Sequence, residues 1–307
     1  RAGLQPVVVA PSFGGQLQGK GVDVENFPGV SQATGPGLVR LMRRQAAAFG
    51  AVMLSDVAAE VSLGTLGSQV EGEPFTIRLN GSAVPLHARA LIVATGANSR
   101  WLGVAGESDY RGGGVSSCAT CDGFLFRGKP VLVVGGGDSA AEEALLLART
   151  SSSVTIVHRR AALRASRTMA DRVLAHRSIR VLWNASVTGF EGAGGALTHA
   201  RVRTQALAAD GSGALQDTEA LLEVSAAFVS IGHDPNTALF EGQLALGAGG
   251  YLDMSGSGRS ARTSLAGVFA AGDVADPTYR QAVTSAGSGA QAALDVERWL
   301  SEQGWTE

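Results

Sequence analysis

The run Val131-Leu132-Val133-Val134-Gly135-Gly136-Gly137-Asp138-Ser139-Ala140 restricts what this chain can fold into more than any other stretch. An unbroken apolar run that stops at glycine reads as a strand buried on both faces, the kind found in parallel sheets. The glycines and Ala140 match the G-x-G-x-x-A spacing, in which the first glycine makes the turn, the second lets a pyrophosphate approach, and the small sixth residue lets helix and strand pack. Residues 139–149 follow with helical spacing, and residues 154–157 read as a second buried strand. Together they form one βαβ unit with a nucleotide expected on the free N–H groups where the helix starts. A glycine turn with no ligand is the plainer alternative.

The second strand ends in His158-Arg159-Arg160, with Arg164 shortly after. An acidic residue there would suit a ribose hydroxyl, whereas arginines suit a 2′-phosphate because planar guanidinium forks bind it bidentately. NADPH is therefore expected in preference to NADH, against the plainer reading of a solvated basic face.

Cys118 and Cys121 are the only two cysteines among 307 residues, and they lie just ahead of this unit in Ser117-Cys118-Ala119-Thr120-Cys121-Asp122-Gly123. Three readings stand for them. Half of a zinc site would need partner ligands, and the five histidines show no ligand spacing, so no metal is expected. Two inert buried thiols are the second reading, and a redox-active dithiol or disulfide is the third. Asp122 could serve as a general acid at a leaving thiolate, or simply as a turn or cap carboxylate. Nicotinamide ordinarily reduces a disulfide through a flavin, so a flavin site is expected elsewhere in the chain.

The length exceeds the roughly 100–200 residues of a usual single domain, which favours two. A net charge of −2 supplies no general drive toward nucleic acid or an anionic membrane, and no apolar stretch is long enough for a transmembrane helix. The sequence shows no secretion signal and reads as soluble. Residues 4–10 are expected as a short buried strand, 35–49 as an amphipathic helix with Leu38, Leu41, Met42 and Phe49 on one side, and 52–79 as a small antiparallel sheet. Further strands are expected at 90–97, 179–182, 200–204 and 221–230, and a last strand at the Gly272-Asp273 turn leads into a helix over 281–300.

These motifs, in this order, resemble the low-molecular-weight NADPH-dependent thioredoxin reductases. The resemblance rests on Gly14-Gly15-Gln16-Leu17, Val24-Glu25-Asn26-Phe27-Pro28-Gly29, Ala94-Thr95-Gly96-Ala97, the Cys118–Cys121 stretch, the Gly135 loop, His158-Arg159-Arg160 with Arg164-Ala165-Ser166, Ile231-Gly232-His233-Asp234-Pro235-Asn236, and Gly272-Asp273-Val274 with Tyr279-Arg280-Gln281-Ala282. It implies an α/β fold of two Rossmann-like, three-layer ββα nucleotide-binding domains, with an NADPH domain over 101–233 inserted into an FAD domain built from 1–100 and 234–307. FAD would lie against Gly15, Gln16, Leu17, Asn26, Thr95, Gly96, Gly272, Asp273, Arg280, Gln281 and Ala282. NADPH would lie against Gly135, Gly137, Asp138, Ser139, Glu142, His158, Arg159, Arg160 and Arg164. Cys121 would face the flavin, Cys118 would attack thioredoxin, and Asp122 would be the acid. Hinges for a domain rotation would fall near 99–102 and 233–237.

A cytoplasmic homodimer is also implied, with an organelle lumen left open. Two departures accompany the resemblance. The family usually opens with a strand and a G-x-G-x-x-G helix that hold the FAD pyrophosphate, and this sequence starts after them. Gln18-Gly19-Lys20-Gly21 stands where a threonine-rich run is usual. The rival expectation is therefore an NADPH-binding protein without FAD and without turnover. The flavoprotein partner of a peroxidase would need an additional N-terminal disulfide domain.

Overall fold

In the computed structural model, residues 3–12, 15–19, 23–24, 26–30, 33–63, 74–207, 215–254, 256, 258 and 260–305 are described. Gly14, Lys20, Gly21 and Glu25, which carry part of the expected motifs, lie outside them. The chain divides into two compact units, one formed by Arg1–Asn98 with Asp234–Glu307 and the other by Ser99–His233.

The central unit is built on a five-stranded sheet. Its strands, in spatial order, are Val115–Ser116, Ala226–Ser230, Pro130–Gly135, Ser153–Val157 and Ile179–Leu182, and every neighbouring pair is parallel. Because side chains alternate along a strand, the run 131–134 serves two cores at once. Val131 and Val133 pack with Ala140, Ala141, Ala144 and Leu147 of the helix Asp138–Leu147, whereas Leu132 and Val134 pack with Val187, Phe190 and Val202.

The latter residues belong to an antiparallel meander of Ala185–Ala193, Ala196–Leu207 and Leu215–Glu223. Helix, parallel sheet and meander make the three layers. Leu132, Val133 and Val154 are fully buried, each contributing about 1.5–3 kcal/mol of apolar transfer. The strand expected over 221–230 is two strands, broken at Val224-Ser225, because its first half pairs in the meander and its second half in the parallel sheet.

The outer unit repeats the layering. Leu91–Val93 and Val268–Ala270 pair in parallel, and Ala58–Ser62, Phe75–Leu79 and Ser82–Ala88 form an antiparallel sheet. Val93, Val268 and Ala270 share a core with Val61, Phe75 and Ile77. Phe269 turns the other way, onto Ala292 and Val296 of the terminal helix Ala282–Glu302. Gly267, at φ 79°, lets the Trp299 ring close in, since a Cβ there would sit 2.8 Å from it.

Four sequence expectations change here, the first being the antiparallel sheet over 52–79: Val52–Leu54 pair in parallel instead, residues 64–73 lie outside the described ones, and the antiparallel strands run from Ala58–Ser62 on to Ser82–Ala88. The strand expected over 4–10 is only Val7–Val9, paired in parallel with Val52–Leu54, and Val7 and Val8 are exposed rather than buried. The strand expected over 90–97 is limited to Leu91–Val93, leaving Ala94 and Thr95 exposed. The helix expected over 35–49 is Gly35–Ala48 with Phe49 as its C-cap, and Leu38 is buried while Leu41 and Phe49 are exposed. That helix is capped by Thr34, whose side chain accepts from Gly37 N at 3.2 Å, with proline in its first turn, where a missing N–H costs nothing.

Candidate functional site

The glycine loop is shaped by what surrounds it. A Cβ on Gly135 would lie 2.4 Å from the Ser230 carbonyl oxygen, and one on Gly136 would lie 2.3 Å from the His158 ring. Gly137 is different. Its nearest foreign atom would be Arg164 Nη2 at 3.8 Å, so the backbone there stays approachable, as the pyrophosphate reading requires. The Gly136 carbonyl accepts from the backbone N–H groups of Arg164 and Ala165, which draws the basic segment over the loop. The Asp138 carboxylate accepts from Ser166 N at 2.8 Å, and that bond holds its carboxyl below the usual value. Ser139 and Glu142 are exposed on the first turns of the helix, and Arg159 and Arg160 are exposed at the strand end.

His158 departs from its expected role. Its ring is buried beneath Gly136, with Nε2 bonded to the Ala162 carbonyl at 2.9 Å and an edge-on contact to Trp183. It supports the loop, while Arg159, Arg160 and Arg164 are exposed. Burial pushes its pKa down, and Arg164 and Arg160 push the same way.

A His with a folded pKa below its unfolded value contributes stability at pH above that unfolded value, near 6.5, and the contribution is lost as pH falls below it. Urea midpoints are therefore expected to fall between about pH 7 and pH 5, and to fall less in a His158→Gln chain. Denaturation curves across that range check this.

Cys118 and Cys121 form a disulfide with Cα atoms 5.3 Å apart. Cys118 caps the short turn Ala119–Asp122, its Sγ accepting from Cys121 N at 3.2 Å. Asp122 is 6% exposed. One carboxylate oxygen accepts from Ser116 Oγ, and the other, Oδ1, is buried without a partner among the described residues. Ser116 Oγ also accepts from Cys118 N at 3.1 Å, which ties the acid and the first cysteine to one hydroxyl. A buried carboxyl with one committed oxygen and one open one suits proton exchange at a sulfur.

In the outer unit, residues far apart in sequence meet. Gln16 Nε2 donates to the Ala97 carbonyl at 2.7 Å and to Asp273 Oδ2 at 3.5 Å, and Asp273 Oδ1 accepts from Ser285 Oγ at 3.1 Å. Asn26 Nδ2 donates to Gln281 Oε1 at 3.0 Å. Thr95 Oγ1 donates to the Asn236 carbonyl, and Asn236 Nδ2 returns a bond to the Thr95 carbonyl. Leu17 abuts the helix Gly35–Ala48, since a Cβ on Gly35 would overlap its carbonyl.

Arg280 is held at φ 50°, an uncommon conformation for a residue with a side chain. Asp276 fixes it, accepting from the N–H groups of Thr278, Tyr279 and Arg280, and so presents Gln281 and Ala282 at the start of the terminal helix. Gly15, Gly96 and Gly272 take φ of 76°, 73° and 75°, and no atom of the described residues lies within 4 Å of a Cβ on the first two. Gly15 and Gly96 leave open backbone of the kind a large flat cofactor can lie against, so the residues present fit a flavin.

Sequence reasoning missed two contributors. Asp276 carries the Asp-Pro signature of a side-chain-capped turn, which could have marked it. Glu143 is beside Glu142 in sequence but turns inward, and no sequence signal separates the two.

Residues 42–289 match the family described as pyridine nucleotide-disulphide oxidoreductase. The chain is 45% identical to a thioredoxin reductase of Mycolicibacterium smegmatis over 306 residues, covering 99% of this chain and 91% of that one. It is also 43% identical to a Pseudomonas fluorescens protein named glucosaminate ammonia-lyase, covering 98% and 89%. Among solved structures it superposes on thioredoxin reductase from Giardia duodenalis with a TM-score of 0.84 and 36% identity, covering 98% and 92%.

Proposed function

Because the chain belongs to the pyridine nucleotide-disulphide oxidoreductases, within the thioredoxin reductase family, we propose that Cys118 and Cys121 are its redox centre and thioredoxin its protein substrate. It is an NADPH-dependent flavoprotein oxidoreductase that uses FAD and NADPH. The observation that carries the assignment is the disulfide set beside a buried carboxylate with one open oxygen, on the unit that also holds the glycine loop.

In this reading the outer unit holds FAD through Gln16, Asn26, Thr95, Asp273 and Gln281, and the central unit holds NADPH between Gly137 and Arg159, Arg160 and Arg164. FAD, when bound, supplies the relay that takes a hydride from nicotinamide and passes an electron pair to a disulfide. The chain's own residues do the rest. Once Cys118 and Cys121 are reduced, the Cys118 thiolate attacks one sulfur of the substrate disulfide, and the released substrate thiolate takes a proton from Asp122. Cys121 then attacks Cys118 Sγ, the mixed disulfide breaks, and the second substrate thiol leaves. Each cycle moves two electrons and two protons to the substrate and regenerates the Cys118–Cys121 disulfide.

A cytoplasmic homodimer belongs to the same proposal. It is supported by the family relationship, and no described helix is long and apolar enough to cross a membrane.

The test is a flavin absorption spectrum of the purified chain after incubation with FAD, recorded before and after anaerobic NADPH, followed by NADPH oxidation with thioredoxin. The expected result is about one flavin per chain, loss of its visible band on NADPH addition, and NADPH consumption that depends on thioredoxin. Ammonia release from glucosaminate, run alongside, is expected to be absent. A chain that takes up NADPH but no flavin, and turns over nothing, would establish the rival reading.

A further inference from the structure

Glu143 links the glycine-loop helix to the dithiol. It is half-buried on the helix Asp138–Leu147, and its two oxygens go in different directions. Oε1 accepts from Ala119 N at 3.2 Å, and Oε2 accepts from Ser230 Oγ at the end of the strand that pairs with Gly135. Ala119 is 3% exposed and directly follows Cys118. The N–H donors at the start of the turn are thus divided, with that of Cys121 on the Cys118 sulfur and that of Ala119 on a carboxylate.

We propose that Glu143 is a positioning residue that fixes the start of the dithiol turn and disfavours the Cys118 thiolate, making the reduced pair a stronger reductant than the same turn without the charge. The inference rests on the reading that Cys118 and Cys121 are redox-active. A donor committed to a carboxylate is withheld from the sulfur, and a fixed negative charge beside a forming thiolate raises its energy. The carboxyl groups placed at the turn are Asp122 on the turn itself and Glu143 from the neighbouring helix.

Reduction breaks the S–S bond and adds two electrons and two protons to give two thiols. Ionisation of a thiol further stabilises the reduced state. Suppressing that ionisation therefore shifts the equilibrium toward disulfide, which is what a good electron donor to another disulfide needs.

Glu143→Gln separates charge from geometry. Its amide oxygen can still accept from Ala119 N and its NH₂ can donate to Ser230 Oγ. Two measurements on the full chain need no flavin: the pH dependence of iodoacetamide alkylation at Cys118, located by peptide mass, and the dithiol–disulfide equilibrium in dithiothreitol buffers. In the Gln variant the thiol pKa is expected to fall by about one unit and the equilibrium to move up to about tenfold toward dithiol, or about 30 mV for a two-electron couple.

Ser230→Ala, which keeps the carboxylate, is expected not to lower the thiol pKa. If the Gln variant matches the parent in both measurements, or if both variants shift the same way as loosened packing would make them, the inference is overturned. A parent chain that does not cycle reversibly between dithiol and disulfide removes the functional reading itself, a failure distinct from the other two.

Discussion

A Cys118→Ser chain is expected to lose NADPH-dependent thioredoxin reduction by at least about a thousandfold, because a serine hydroxyl can neither attack a disulfide at neutral pH nor form one with Cys121. The loss should be confined to the last transfer. Gly137, Arg159, Arg160 and Arg164 are untouched by the substitution, so NADPH should still reduce bound flavin at close to the parent rate.

The companion variant sets the direction of the pair. With Cys121→Ser, Cys118 can still attack thioredoxin but nothing resolves the product, so a stable one-to-one mixed disulfide should accumulate and appear by non-reducing electrophoresis. The structure gives a reason for that order, since Cys118 Sγ already receives an N–H from Cys121, a bond that favours its thiolate. A mixed disulfide trapped by Cys118→Ser instead would reverse the assignment. Lost stability is a poor alternative explanation for either outcome, because a disulfide between residues three apart closes too short a loop to contribute more than about 2 kcal/mol.

The central unit was legible because its signals are local. Strand, glycine loop, helix and second strand occur consecutively, and the apolar run 131–134 reads correctly as buried because both of its faces are covered. Where an apolar run has a core on one side only, sequence overstates burial. Val7, Val8, Leu41 and Phe49 are as apolar as Val131, yet they are 37–54% exposed. The residues expected at a flavin in the outer unit came only through resemblance to a family. Gln16 and Asp273 are 257 positions apart, and neither periodicity nor spacing brings them together.

Side-chain direction was the least legible property. His158 and Arg159 are neighbours in one basic run, yet alternation along the strand end sends the first under the loop and leaves the second exposed. The hint was the middle glycine, Gly136, which the fingerprint does not require but the His158 ring does. Glu142 and Glu143 divide in the same way on the following helix, where adjacent positions lie about 100° apart. Sequence reasoning chose Glu142, the exposed one, while Glu143 is the one that reaches the backbone of the dithiol turn at Ala119.

Replacing Arg159, Arg160 and Arg164 together by alanine is expected to lower kcat/KM for NADPH about a hundredfold and to leave that for NADH nearly unchanged. All three are exposed, so each guanidinium contact with a 2′-phosphate is screened by water and contributes nearer 1 kcal/mol than the upper range for charged hydrogen bonds. Three such contacts amount to about two powers of ten.

The effect should appear in KM with kcat retained, because the phosphate is remote from the hydride and is held equally in ground and transition states. Steady-state kinetics with both nucleotides measures this directly. His158→Gln is the control. It should lower stability without changing the NADPH-to-NADH ratio, since its ring faces Gly136 and the Ala162 carbonyl. Added salt should raise the parent's KM for NADPH more steeply than that of the triple variant, because the contacts removed are charge pairs in water. If the triple variant keeps the parent's preference, the arginines are a solvated face and the 2′-phosphate is read elsewhere on the loop.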